Sequence, residues 1–143
     1  MDNLDLSDPI RYERYYISDN LRIQKKNDVY EKEILDDNNV VISKEKINKN
    51  EFNNLKQKAY KEIIRDSFLY LGDQRVSIKK YYGIYEELIR VEVSFSSKDE
   101  MNEYQKENWM GKEITDSPLA FDKYLSKLDR EQFLNELNKT INV

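Results

Sequence analysis

Through its first half the chain reads as short runs in which apolar and polar residues alternate. RYERYYI (11–17), NLRIQKK (20–26) and DVYEKEIL (28–35) are separated by SDN and KND, polar groups suited to tight turns, and each predicts a β-strand. NNVVISKEK follows, with Val40 and Ile42 on one face and Val41 and Ser43 on the other. The period then changes. In NKNEFNNLKQKAYKEIIRD, Phe52, Leu55, Ala59 and Ile63 recur at helical spacing behind Asn50 as an N-cap, which predicts one inserted helix. Strand signals return in DSFLYLG, QRVSIKKYYG and EELIRVEVSF. The last alternates cleanly, with Val91, Val93 and Phe95 opposite Arg90, Glu92 and Ser94.

The C-terminal third reads as helical. Ser97 to Glu100 forms a capping box, Ser117-Pro118 pairs a cap with a proline at the first helical position, and DREQ from Asp129 opens a last helix. The sum is about seven strands, an inserted helix and C-terminal helices, an α+β and mostly antiparallel class. Nothing divides the chain, so a single domain over 1–143 is expected, with 1–9 as a loose leader and 129–143 as a terminal helix.

Composition narrows the chemistry. The chain has no cysteine and no histidine, which excludes disulfides, thiolate nucleophiles, Ser-His-Asp triads and the usual zinc sites. A bound metal would be hard and oxygen-ligated, and acid–base work would fall to carboxylates, lysine or tyrosine. No stretch approaches the roughly 20 apolar residues of a membrane span, and the acidic start MDNLDLSDPI lacks a signal peptide's regions, so a cytoplasmic location is expected. The net charge of −4, with signs mixed, gives no electrostatic case for nucleic acid as the main partner.

Alternation also sorts the charges. Arg22 shares a face with Gln24, Arg65 with Ser67, Lys79 with Ser77 and Arg75, and Arg90 with Glu92. These faces are either the solvated side of an antiparallel sheet or, if the sheet closes, the lining of a polar tunnel. Convergent cations in a tunnel suit a polyanion, and a carboxylate among them suits a divalent metal.

Residues 88–125 contain VEVSF, a polar helix, WMGKEIT and FDKYL in that order, and WMGKEITDSPLAF gathers the only tryptophan with a glycine and a proline. This stretch resembles the C-terminal half of the CYTH family, the triphosphate tunnel metalloenzymes, with its A-E-V-E-F strand, W-x-G-x-E-V-T motif and closing segment. Upstream, YYGIYEEL is similar to the family's F-x-G-x-x-x-x-L, NLRIQKKNDVY to L-R-I-R-K-K-G-D-x-Y, KINKNEFNNLK to I-S-x-x-E-F-x-x-L, and IIRDSF to I-x-K-T-R-Y. The resemblance spans residues 11–126.

It implies an antiparallel tunnel of seven to eight strands in which basic residues grip phosphates and carboxylates hold Mg²⁺ or Mn²⁺. Carried over by position, it makes Arg22 and Arg65 phosphate ligands and Glu92, Glu113 and Glu13 metal ligands; Lys79, which stands where the family often has an aspartate, and Arg90 join the phosphate ligands from the charged strand faces. Gln24, Ser67 and Ser94 stand where the family has charged residues, and Leu35 where it has a lysine. Of the N-terminal E-x-E-x-K, RYERYYI is either a remnant keeping Glu13, with Tyr15 for the lysine, or the family's second strand, the first then being missing. Arg14, Lys32, Lys44, Lys46 and Lys80 are candidate substitutes for the lost charge.

The expectation is a divergent tunnel domain that binds a triphosphate-like or nucleotide ligand, with weak or no phosphohydrolase activity. The alternatives are an active metal-dependent triphosphatase with a rearranged site, and a non-catalytic scaffold. In the scaffold, an open sheet edge takes a partner strand, as in a homodimer that completes the barrel.

Overall fold

A computed structural model describes residues 4–111, 113 and 117–141. Seven strands form one antiparallel sheet: β1 Ile10–Tyr16, β2 Leu21–Lys26, β3 Val29–Leu35, β4 Val41–Lys46, β5 Lys61–Leu69, β6 Val76–Tyr81 and β7 Ile89–Val93. The order across the sheet is β4-β3-β2-β1-β5-β6-β7, so β4 and β7 are its two edges and the sheet is curled but unclosed. Helix α1 (Lys49–Lys56) connects β4 to β5. After β7 come α2 (Lys98–Glu103), a 3₁₀ turn (Pro118–Ala120), α3 (Asp122–Leu125) and α4 (Arg130–Ile141).

The β2–β3 turn sets Asn27 at φ 50 and the β3–β4 turn sets Asn39 at φ 66, left-handed positions that asparagine tolerates better than most residues. Asp36 stiffens the second turn by accepting from the backbone N–H of Asn38 and Val40.

The inserted helix is shorter than its periodicity suggests. Asn48, not Asn50, is the cap, accepting from the Glu51 N–H at 2.8 Å, and the helix stops at Lys56. Ala59 lies in the turn beyond it. Ile63 belongs to β5, where it pairs with Arg14 of β1. A four-residue spacing fits either element, and the continuous ladder of β5 with β1 decides it. Residues 5–7, expected to be loose, are tied to the β5–β6 hairpin: Ser7 donates to Leu69 O and Leu71 to Asp5 O. The C-terminal caps follow their sequence signals. Ser97 accepts from Glu100 N, Ser117 from Leu119 N, and Asp129 and Gln132 exchange side chain-to-backbone bonds.

Two apolar clusters flank the sheet. On its outer face Tyr15 and Ile23 pack beneath Phe52 of α1, with Tyr30 and Leu55 around them. On the inner face, one end of the trough is filled by Tyr16, Leu35, Ile63, Tyr81 and Leu88 against Leu119, Leu125 and Phe133 of the C-terminal segment. That segment thus plugs the trough at one end. Among the described residues no helix is long and apolar enough to cross a membrane.

Phe133 is fully buried and stands edge-on to Tyr85, 5.2 Å between ring centroids. Phe133→Ala should destabilise the protein by about 3–5 kcal/mol in chemical denaturation. A loss near zero would mean that α4 contributes nothing to holding the plug.

Candidate functional site

Register settles which side chains share the trough. Tyr12, Arg14 and Tyr16 of β1 lie opposite Lys26, Gln24 and Arg22 of β2 on one side and Arg65, Ile63 and Lys61 of β5 on the other. The same face continues to Glu31 and Glu33 of β3, to Lys79 and Tyr81 of β6, and to Arg90 and Glu92 of β7. All of these residues line the inner face.

At its centre is Asp122, the first residue of α3, which is 3% exposed. Its Oδ2 accepts from Arg14 Nη1 at 2.9 Å and Arg65 Nε at 3.1 Å. Its Oδ1 accepts from the Tyr81 hydroxyl at 2.6 Å and lies 3.2 Å from Arg90 Nη1. The arginines come from β1, β5 and β7, and β1 and β7 are three strand spacings apart. Flat strands so placed are separated by roughly 14 Å, so the curl of the sheet is what brings their side chains to one carboxylate. Burial alone would raise the Asp122 carboxyl. Arg65, Arg90 and Arg14, with the Tyr81 hydroxyl, instead hold it well below its usual range. Burial and the Asp122 charge push the Tyr81 phenol well up, so it remains a donor.

Two further ion-pair groups flank this one. Arg22 donates from Nε to Glu33 Oε1 at 2.9 Å and from Nη1 to the Tyr16 hydroxyl at 3.1 Å, while Lys44 of β4 reaches Glu33 Oε2 at 3.4 Å. On the other side, Glu92 is held by Lys79 at 2.5 Å and Arg90 Nη2 at 3.0 Å. Burial would raise Glu33 and Glu92, but their cations leave both below the usual carboxylate range. Lys79 moves the other way: burial, then the Arg65 charge, lowers it to about 8 against the pull of Glu92. Gln24 links the groups, accepting from Arg14 Nε at 3.0 Å and donating to Glu31 at 2.8 Å. The Tyr12 ring lies 4.4 Å from the Arg65 guanidinium.

The cluster carries excess positive charge. Five cations, Arg14, Arg22, Arg65, Lys79 and Arg90, face three carboxylates, Glu33, Glu92 and Asp122. Adding Lys44 and Glu31 at the margin leaves the balance unchanged. The buried Nε of Arg90 has no hydrogen-bond partner among the described residues, so the trough also holds one unused donor.

Of the residues expected from sequence, Arg22, Arg65, Lys79, Arg90 and Glu92 come together here. Glu13 does not: it points from β1 to the outer face, 3.8 Å from Lys25 and within reach of the Tyr15 hydroxyl. Glu113 is exposed, on irregular backbone outside any strand. Lys112, Ile114 and Thr115, which complete the W-x-G-x-E-V-T-like motif, and Asp116 beyond it lie outside the described residues. Trp109 packs edge-on to Tyr70 at 5.3 Å. Among the substitute cations, Arg14, Lys44 and Lys46 are on the inner face, Lys32 and Lys80 on the outer.

These carboxylates do not fit Mg²⁺ or Mn²⁺. No group of three acidic residues among those described is placed to hold a metal, and both oxygens of Glu33, Glu92 and Asp122 already face cations. Asp122 is the residue that reading the sequence missed. It sits three positions after Leu119 and three before Leu125, both fully buried, so an acid on an apolar stripe was the available signal.

The architecture is that of a tunnel-like antiparallel sheet with a polar interior, and solved structures share it. The crystal structure of the hypothetical protein NE1496 aligns with a TM-score of 0.72 at 18% identity, covering 87% of this chain and 89% of that one. The crystal structure described as the inorganic triphosphatase NE1496 aligns at 0.69 and 18% identity, covering 85% and 87%. At that identity the likeness is one of fold. No family model and no curated protein matches the chain.

The position of Lys79 is open to direct measurement. In NMR of labelled lysines its ammonium should titrate near pH 8, well below the ordinary lysine value of about 10.4. Because the folded value lies below the unfolded one, the unfolded chain binds more protons between them. Lys79 therefore makes stability rise with pH from about 8 upward. A titration near the ordinary lysine value would show that Lys79 is solvated.

Proposed function

We propose that the trough binds a triphosphate-like polyanion or nucleotide, with weak or no hydrolysis. The observation that carries this reading is the buried excess of cations: Arg14, Arg22, Arg65, Lys79 and Arg90 converge on one concave face that three carboxylates do not neutralise. Guanidinium groups donate in a planar fork that matches phosphate oxygens, and partial burial strengthens each such bond. The buried Nε of Arg90, without a hydrogen-bond partner among the described residues, is a further donor that rearrangement around a ligand would bring into use. Hydrolysis is given the smaller part because both oxygens of Glu33, Glu92 and Asp122 are engaged with cations and Glu31 accepts from Gln24, so a metal would have to displace these partners.

A second reading is supported by the neighbour described as an inorganic triphosphatase, whose fold this chain shares. In that case the same trough would turn its ligand over, with Glu92 released from Lys79 and Arg90 to serve a metal.

Calorimetry with tripolyphosphate and with ATP, with and without Mg²⁺ or Mn²⁺, tests binding. Phosphate release, with Glu92→Ala as control, tests turnover. Tripolyphosphate should bind, and Arg65→Met should weaken it about 10- to 100-fold, the scale of a charge-assisted bond. Lys80→Met on the outer face should change nothing. Affinity should also decline as pH rises past about 8, where Lys79 loses its proton. Metal-dependent release abolished by Glu92→Ala would replace the binding reading with the enzymatic one. No binding of either ligand would remove both.

A further inference from the structure

We propose that Asp122 is an internal competing anion: it occupies the arginine grip in the unliganded protein, and a polyphosphate binds by taking its place. This rests on the polyanion reading above and adds what sets the affinity.

The geometry assigns the role. Asp122 is bonded by Arg14, Arg65, Arg90 and Tyr81, drawn from four different strands, so its carboxylate lies where the donors of the trough converge. An anion that is to use Arg14, Arg65 and Arg90 together must therefore use the positions of its two oxygens. A carboxylate brings one charge to donors that remain in excess after it is counted. A polyphosphate brings more charge and more oxygens, enough to engage the same arginines, Lys79 and the idle Nε of Arg90.

The carrier of Asp122 is also suited to leave. Helix α3 has only four residues, and its polar anchors are few: Lys123 Nζ to Asp36 O at 3.4 Å, Ser126 Oγ beside the Tyr60 hydroxyl at 3.1 Å, and Tyr85 to Leu125 O at 2.8 Å. Phe133 of α4 also stands against Tyr85, so α4 keeps an anchor of its own when Asp122 withdraws together with Leu119 and Leu125.

Internal competition has a signature that simple repulsion lacks. If every anion must first displace the same carboxylate, each apparent dissociation constant is raised by one common factor, the inverse of the open fraction. If Asp122 stays in place and only repels the ligand, the penalty grows with the ligand's charge.

The test is calorimetry of pyrophosphate and tripolyphosphate on the wild type and Asp122→Asn, a near-isosteric change that removes the charge. Both anions should bind the variant more tightly by the same factor, on the order of 10- to 100-fold. The unliganded variant should melt below the wild type, because three arginines lose their counter-ion, and saturating tripolyphosphate should close that gap. Hydrogen exchange on the wild type serves even if the variant folds poorly: tripolyphosphate should accelerate exchange at 119–126 while 130–139 stays protected.

Unchanged affinity in Asp122→Asn overturns the proposal and leaves polyanion binding intact. So does a gain clearly larger for tripolyphosphate than for pyrophosphate. Exchange at 119–126 unaffected by bound tripolyphosphate overturns it too. Absence of binding to both proteins removes the functional reading, and this inference with it.

Discussion

Burying several guanidinium groups on the concave side of one sheet is the constraint from which the rest of this structure follows. Each such ion loses several kcal/mol of hydration, and an unpaired one would be strongly destabilising. Arg14, Arg65 and Arg90 are each nearly enclosed, and no strand supplies a carboxylate at their centre. The counter-charge comes from the far end of the chain, as Asp122. The C-terminal segment is thereby fixed twice. Leu119, Leu125 and Phe133 supply the apolar burial, which is non-directional, and Asp122 supplies a geometry that only one placement satisfies.

The sheet's own pairing serves the same end. Arg22 lies directly opposite Glu33 on β3, Gln24 opposite Glu31, and Glu33 opposite Lys44 on β4. Cross-strand neighbours on one face are close enough for such pairs to compensate each other without help from loops. On the other flank, Lys79 faces Arg90 across β6 and β7, a like-charge pair that is unfavourable alone. Glu92, one diagonal step along β7, bridges the two, and Lys79 still has its proton affinity lowered. On the β2–β4 side, Arg22 and Lys44 are paired through Glu33, while on β1, β5, β6 and β7 the cations Arg14, Arg65, Lys79 and Arg90 share Asp122 and Glu92.

Much of this architecture was legible in the sequence. Seven alternating runs correspond to seven strands, and alternation pairs Arg22 with Gln24, Arg65 with Ser67 and Arg90 with Glu92 within their strands; the register then puts these pairs and Lys79 on one inner face. What alternation cannot supply is which face turns inward when both carry charge. In RYERYYI it separates Glu13 from Arg14 but does not rank them. The inward residue is Arg14, because its face also holds Tyr16, which joins the apolar end of the trough, while Tyr15 joins the outer cluster under Phe52. The start of β5 was read as helix because Ala59 and Ile63 fit a four-residue spacing, and only pairing with β1 resolves that ambiguity. Asp122 escaped because its meaning depends on three arginines 32 to 108 residues away in the chain.

The positions at which the sequence differs from the pattern it resembles each have a role in this structure. Leu35, where the resemblance expects a lysine, is buried in the cluster that receives Leu119, Leu125 and Phe133. A lysine there would sit unpaired in the apolar plug. Gln24, where the resemblance expects an arginine, joins Arg14 to Glu31 and adds no charge to a flank where Arg22 and Lys44 already share Glu33. Ser67, in place of another, accepts from Arg65 at 2.6 Å and steadies the guanidinium that holds Asp122. Each change suits a trough whose closed end is apolar, whose centre is occupied by the chain's own carboxylate, and whose remaining cations gather near Lys79. Part of the charged interior serves to hold the C-terminal segment.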